Sequence, residues 1–442
     1  MERKGEWKMR KRTAVVADDI TGANDIGGMF AKSGCVAGVF PWSESLTAAD
    51  FEGLDVVVVD TDSRFDDPKT AYGKVYRAAR LLRGVGFDLY FNKTCSVFRG
   101  NIGAEFDAMQ DALGVPCSMV VLGFPANGRT TLHGVHYVNG IRLDQTSFVR
   151  DPIHPTLEPE LTKIIAKQSS RKSAVFPYEW LELPREEQAA ALARLKKENA
   201  YVVFDVRDQR DLRIIAELLQ NEPNLCGSSA IGQELPLVWG MGGEPALPLH
   251  PVQDAAGTLL LAGSLTPQTN GQVDYLCAQG VKAGRLDSLR LFDPAERERE
   301  VLRLSALAAE ETGAGRPALV YTEKDPALVK ATKEQGYARG MSDEEVGRLV
   351  SETLAEIARR TLAQTGGRKL VVAGGDTSAT VSRRLGIWKM VILKEIEPGV
   401  PTMYGYGEPG ELLLVLKSGS FGSEAFLEKA EAALRALQKG RA

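Results

Sequence analysis

Thr13-Ala-Val-Val-Ala-Asp-Asp-Ile-Thr-Gly-Ala-Asn-Asp25 decides the fold class. A short apolar run, two carboxylates and a Thr-Gly pair lead into an amphipathic stretch over 22–33, which predicts strand, loop, helix. The apolar run has no polar alternation, as expected of a parallel strand covered on both faces. The same habit recurs outward from it. Strands are expected at 35–40, 55–60, 88–92, 117–122, 173–176 and 201–205, and helices at 68–83, 101–113, 185–198 and 208–220. The second half repeats the pattern, with strands at 258–262, 317–321, 369–373, 390–394 and 412–416. Its helices are expected at 266–279, 293–312, 342–365, 377–385 and 423–438. The Gly- and Pro-rich stretch 239–252 has little periodicity and is the expected linker. The reading is two α/β domains with mainly parallel sheets, 1–240 and 253–442, and an active-site cleft between them.

Composition narrows the function classes. The chain has 442 residues, with 54 Lys+Arg against 58 Asp+Glu and a net charge of −4. That balance argues against a general nucleic-acid binder, which needs a basic surface. No apolar run approaches the ~18–20 residues of a membrane span. The basic start Met1–Arg12 meets only four apolar residues before two aspartates, so no secretory signal is expected. The five cysteines lie far apart without a Cys-x-x-Cys, which suits a reducing cytoplasm and offers neither disulfide framework nor zinc site.

Ligands of open α/β sheets meet the carboxyl ends of the strands. Asp18 and Asp19 stand at the first such end, where a cation or a substrate hydroxyl could use them; capping of the following helix is the plain alternative. Asp60-Thr-Asp62-Ser-Arg64 follows the third strand. Lys93-Thr-Cys-Ser96-Val-Phe-Arg99-Gly100-Asn101 follows the fourth and opens a helix, a suitable place for a carboxylate or phosphate. Gly128-Arg129-Thr-Thr131 adds a polar loop. Together these suit a polyhydroxylated acidic small molecule. In the second half, Gly263-Ser264, Gly374-Gly375-Asp376-Thr377-Ser378 and Lys417-Ser-Gly419-Ser-Phe-Gly422 each end a strand and precede a helix. Such loops let backbone N–H groups approach phosphates, and three of them favour a nucleotide site.

Some motifs do not survive inspection. Gly405-Tyr-Gly-Glu-Pro-Gly410 has dinucleotide spacing but runs into a strand instead of a helix, and no P-loop is present. His133 and His136 flank Gly134 and read as loop or hairpin residues before they read as zinc ligands. Cys95 reads as a lining residue, since no histidine partner is evident for a nucleophile.

The stretch 17–31 (ADDITGANDIGGMFA) resembles the opening signature of the four-carbon acid sugar kinases. The resemblance continues through 99–105, 128–140, 146–152, Gly263-Ser264, 374–377 and 417–422. It implies a sugar-acid-binding first domain and an ATP-binding second domain, with Ser264, Gly374, Gly375, Asp376, Thr377 and Gly419 as nucleotide contacts. The implied reaction is ATP-dependent phosphorylation of a terminal hydroxyl on a short sugar acid such as threonate, erythronate or 3-oxo-tetronate. One departure stands out: Cys95 and Val97 occupy positions where the family has Asp and Thr, which removes hydrogen-bonding capacity.

With that resemblance, Mg²⁺ is expected near Asp376. Lys93, Ser96 and Arg99 are expected to hold the substrate carboxylate, with Asp62, Arg64, Gly100, Asn101 and Arg129 lining the same site. Asp19 or Asp18 would orient the attacking hydroxyl and take its proton; strand alternation predicts that only one of them faces the ligand. The expected partners are a sugar acid and ATP/ADP, with no nucleic acid and no membrane, and a homodimer is left open. A nicotinamide-dependent sugar-acid dehydrogenase and a non-catalytic sugar-acid sensor are the rival readings.

Overall fold

A computed structural model describes residues 10–150, 155–242, 252, 254–322 and 324–438. The chain divides into two compact units, Met1–Ala246 and Leu247–Ala442. Both are mixed α/β units built on largely parallel sheets. Most of the linker stretch 239–252 lies outside the described residues, as do the basic start through residue 9 and positions 151 and 152.

In the first unit the strands are β1 (Thr13–Ala17), β2 (Ala37–Pro41), β3 (Val56–Asp60), β4 (Leu89–Lys93), β5 (Ser118–Val121), β6 (Arg129–Leu132), β7 (Val135–Val138), β8 (Ile141–Arg142), β9 (Ser173–Phe176), β10 (Tyr201–Phe204) and β11 (Asn224–Gly227). Eight of them form a parallel array in the order β2-β3-β1-β4-β11-β5-β10-β9, and β6-β7-β8 form a separate antiparallel sheet. The order reverses at β1, whose neighbours β3 and β4 lie on opposite sides. Such a reversal opens a crevice at the strand ends. Register sharpens the point, because Ala17 pairs with both Asp60 and Lys93. The loops after β1, β3 and β4 therefore leave the sheet at one level.

The second unit contains β12 (Leu259–Ala262), β13 (Lys282–Leu286), β14 (Ala318–Thr322), β15 (Lys369–Ala373), β16 (Lys389–Glu397), β17 (Val400–Gly407) and β18 (Gly410–Lys417). Their order is β13-β14-β12-β15-β18-β17-β16, parallel through β18 and antiparallel beyond it. Ala373 pairs with Ala262 on one side and Lys417 on the other, so the three glycine loops also start at one level.

Helix starts follow local chemistry. Asp67, Thr266, Asp293 and Asp325 each cap a helix that opens with proline, their side chains accepting from free N–H groups of the first turn. The cores are aliphatic layers on the sheets, with Val57, Val59, Val75 and Met109 in one and Leu260, Val371, Val415 and Phe426 in another.

Several elements go beyond the expected set. Gly128–Thr131, expected as a polar loop, opens the β6–β8 hairpins, with turns at His133-Gly134, in keeping with the hairpin alternative for the histidines, and at Asn139-Gly140. β11, β13 and β17 carry weak local signals: Asn224-Leu-Cys-Gly227 is short, β13 is charged and β17 carries Pro401 and two glycines. Helices Leu161–Gln168, Ile231–Val238 and Pro326–Tyr337 also lie outside the expected set; the second contains Pro236. The rejected glycine motif 405–410 spans the β17–β18 hairpin. All five cysteines carry free thiols. Among the described residues no helix is long and apolar enough to cross a membrane.

Candidate active site

The helix Ile20–Lys32 starts directly after the two aspartates, and Asp19 is its N-cap. Asp19 Oδ1 accepts from Gly22 N at 2.8 Å and Oδ2 from the Thr21 hydroxyl at 2.7 Å. Asp18 turns inward and is 1% exposed. Arg64, from the loop after β3, grips both carboxylates. Its Nε and Nη2 donate to Asp18 at 2.9 and 2.8 Å, and its Nη1 and Nη2 to Asp19 at 2.7 and 2.8 Å. Both aspartates meet the one guanidinium, and of the two only Asp19 keeps partial exposure. The strand ends at Ala17, before both of them, and a single guanidinium collects the two carboxylates. Burial opposes ionisation of Asp19, but Arg64, Thr21, Lys93 and the Gly22 N–H outweigh it and hold its carboxyl below the usual range.

Lys93 ends β4 and is buried. Its ammonium lies 3.7 Å from Asp25 Oδ2 and donates to Thr94 O at 2.9 Å, while Ser229 Oγ donates to Asp25 at 2.6 Å. A turn closed by Phe98 N donating to Cys95 O at 3.0 Å follows, with Ser96 half-buried inside it. Phe98 adopts a left-handed φ of 53° and stacks edge-on against Phe106, which anchors the loop. Arg99 lies over the Phe148 ring and donates through Nε to Cys95 Sγ at 3.5 Å. Burial opposes ionisation of the Cys95 thiol, yet Arg99 and Arg64 bring it below its ordinary value. Cys95 and Val97 pack with Val138 and Leu143 of the hairpin region, so these two positions form part of an apolar wall.

The remaining expected residues divide by role. Asn101 spends its amide N–H groups on the carbonyls of Asp66 at 2.8 Å and Ser63 at 3.1 Å, tying the Arg64 loop to the next helix. Gly100 O accepts from Gln168. Asp62 is exposed with a left-handed φ of 46°, and its N–H donates to Asp60 Oδ1 at 3.0 Å. Arg129 opens β6; one terminal nitrogen donates to Asn127 O, while its Nε is buried with no partner among the described residues. Burial lowers its pKa, a sign of a cation short of countercharge.

Two further buried acids, Asp60 at the end of β3 and Glu105 in the helix Ile102–Leu113, carry no role in the sequence reading. Burial and the neighbouring Asp62, Asp19 and Asp18 push Asp60 well above the ordinary range. Glu105 accepts from Ser63 Oγ at 2.8 Å and is also pushed well up, chiefly by burial and then by Asp18. Only the tertiary packing of a helix residue against the loop after β3 exposes this relation.

In the second unit three loops meet. A β-carbon at Gly263 would overlap the Thr377 hydroxyl, and one at Gly419 would overlap the Ser264 hydroxyl. Gly374 N donates to Lys417 O at 2.9 Å, and Gly374 is the N-cap of the helix Gly375–Arg384. Asp376 is exposed in its first turn and Thr377 is buried behind it. The Thr266 and Thr269 hydroxyls both donate to Gly419 O, at 2.6 and 2.8 Å. Ser264, Gly374, Gly375, Asp376, Thr377 and Gly419 thus belong to one loop cluster at a helix N-terminus, a geometry suited to phosphates.

A parallel-sheet unit with paired carboxylates and cations at a switch point, joined in one chain to a unit with glycine loops at a helix start, defines a two-domain small-molecule- and nucleotide-handling protein. Residues 13–235 match the sugar-binding N-terminal domain family and residues 259–427 the nucleotide-binding C-terminal domain family. A 3-oxo-tetronate kinase of Burkholderia multivorans is 33% identical, covering 96% of each chain. A D-threonate kinase of Salmonella typhimurium is 29% identical, covering 93% of this chain and 96% of its own. A crystal structure from Salmonella typhimurium LT2, provisionally described as a tRNA synthase, superposes with a TM-score of 0.81 at 28% identity, covering 95% of this chain and 98% of that one. The chain belongs to the four-carbon acid sugar kinase family.

Proposed function

We propose that the chain transfers the γ-phosphoryl group of ATP to a terminal hydroxyl of a four-carbon sugar acid of the threonate, erythronate or 3-oxo-tetronate type. The observation that carries this reading is the common level at which β1, β3 and β4 end, which collects Asp18, Asp19, Arg64 and Lys93. Residues 1–240 would bind the sugar acid and 253–442 the nucleotide.

The cations have unequal freedom to meet a substrate carboxylate. Lys93 is paired with Asp25, whereas the half-buried Arg129 has a buried Nε with no partner among the described residues. Arg129 and Arg99, with Ser96, would therefore hold the carboxylate, and Lys93 would keep the pocket's charge in place. Asp19 is 15% exposed through its side chain against 1% for Asp18, so Asp19 would meet the attacking hydroxyl. Its depressed pKa keeps it ionised. In a loose phosphoryl-transfer transition state, orienting the hydroxyl counts for more than early proton removal.

The residues also fit Mg²⁺ carried in with ATP. Among the described residues no group of three or more His, Cys, Asp or Glu side chains could hold a metal by itself. Mg²⁺ is commonly bound by one or two carboxylates plus substrate phosphates, and Asp376, exposed at the helix start, would supply such a carboxylate. When bound, the ion would neutralise charge on the transferring phosphoryl group. The direct test is ADP release measured across four- and five-carbon sugar acids with ATP and Mg²⁺. ADP release dependent on a four-carbon acid is expected; nicotinamide reduction without ADP release would replace this reading by a dehydrogenase.

A further inference from the structure

Lys417 ends β18 at the centre of the glycine-loop cluster, and it is 1% exposed. Its ammonium donates to Ser418 O at 2.9 Å, Thr269 Oγ1 at 3.1 Å and Gly419 O at 3.4 Å. All three are neutral acceptors. No carboxylate pairs with it among the described residues. No charged group of the helix Pro267–Ala278, of the neighbouring β15 and β17, of the loop 418–422 or of the Gly374 turn shifts it, and burial alone lowers it to about 7. The other fully buried lysines differ. Lys369 pairs with Asp254 at 2.8 Å, and Lys93 faces Asp25. A buried ammonium with no counterion is costly, and groups perturbed by burial in this way cluster at functional sites.

The surroundings indicate which ligand that is. Gly419 O accepts from Lys417, Thr266 and Thr269 together, so this peptide is clamped with its oxygen turned toward the ammonium. Gly419 abuts Ser264, Gly263 abuts Thr377, and Lys417 O receives Gly374 N. One lysine therefore touches, directly or through one residue, all three loops that form the phosphate-type cradle.

We infer that Lys417 is a positioning residue of the nucleotide site, a buried cation that clamps the Ser418–Gly419 loop and whose missing countercharge is supplied by the polyphosphate of the bound nucleotide. This rests on the assignment of the second unit as the nucleotide-binding part. Phosphate anions favour the protonated lysine, so a fraction of the sites that is neutral in the free protein takes up a proton on binding. Proton uptake means that affinity falls as pH rises above the free-protein value near 7, by at most about tenfold per pH unit.

Calorimetric titration of the full-length protein with ADP at pH 8, in two buffers of different ionisation enthalpy, reads this linkage directly. The wild type is expected to take up a substantial fraction of a proton per ADP. Lys417→Arg, which stays charged at every accessible pH, should bind ADP with no such uptake and with a flatter pH profile between 7 and 9. Lys417→Met should bind ADP at least tenfold more weakly, with the linkage lost. A lysine that only braced the fold would leave the proton count of Lys417→Arg equal to that of the wild type, and that result overturns the inference. Equal ADP affinity and proton uptake in Lys417→Met would do the same. If the wild type binds ADP with no proton uptake at pH 8, the inference fails while the nucleotide assignment stands; if it binds no nucleotide, both fall.

Discussion

Arg64 and Asp18 form a two-pronged buried ion pair, Nε to Oδ2 at 2.9 Å and Nη2 to Oδ1 at 2.8 Å, and the same guanidinium reaches Asp19. The geometry gives the adjacent aspartates different work. Asp18 neutralises Arg64 inside the protein, and Asp19 remains partly open to solvent.

Exchanging each aspartate for asparagine should separate these tasks. Asp18→Asn leaves a buried guanidinium short of charge, and stability should fall by about 3 kcal/mol in urea unfolding. Asp19→Asn should unfold much closer to the wild type but lower kcat by at least ~100-fold with a smaller change in KM. Asp19→Asn retaining near-normal kcat would transfer the role to another carboxylate, with Asp62 the next candidate.

Arg99→Lys keeps the charge and loses the planar fork. Sugar-acid affinity should weaken by about 1.5–3 kcal/mol, while ADP affinity measured without sugar acid stays put. Loss of ADP affinity alone would reverse the placement of the two ligands.

Cys95→Asp places a carboxylate against Arg99, where a thiol now sits at 3.5 Å. The new carboxylate would compete with the substrate's own, so the ranking of kcat/KM among threonate, erythronate and 3-oxo-tetronate should change. An unaltered ranking in a folded variant would mean that this wall does not touch substrate.

Glu105 gives a pH signature. Its pKa in the folded protein is raised, so the folded state holds the proton longer than the unfolded chain does. The stability it contributes is fully present below about pH 4.3 and is lost as pH rises through the elevated folded value. Glu105→Gln keeps an acceptor for Ser63 and removes the titration. Urea unfolding at pH 5 and pH 8 should show a smaller decline for the variant than for the wild type; equal declines would show that Glu105 is not buried in its charged form.

Gly419→Ala puts a methyl group where the Ser264 hydroxyl lies. The loops must part to admit it, and ADP affinity should fall at least ~10-fold because binding geometry of this kind tolerates little displacement. Sugar-acid binding measured without nucleotide should be untouched.

The strand and helix content was largely legible in the chain. Val56-Val-Val-Val59 and Leu259-Leu-Leu261 have no polar side to expose, and Asp67-Pro68 and Asp293-Pro294 mark helix starts by local chemistry. The loops that carry charge could be found because they follow such strands. Short-range signals failed where neighbours in space decide the outcome. Asn224-Leu-Cys-Gly227 is a strand because β4 and β5 offer their edges on both sides of it, and the 128–142 segment folds as hairpins through left-handed turns at His133 and Asn139.

By itself the sequence determined two α/β halves, the polar strand-end loops of the first and the glycine loops of the second, since periodicity and turn chemistry act over a few residues. Only the tertiary structure decided that Arg64 binds both Asp18 and Asp19, that Lys93 is occupied by Asp25 and that Lys417 stands buried without a counterion among the described residues. Those are matters of distance between residues far apart in the chain, and strand order and register set that distance.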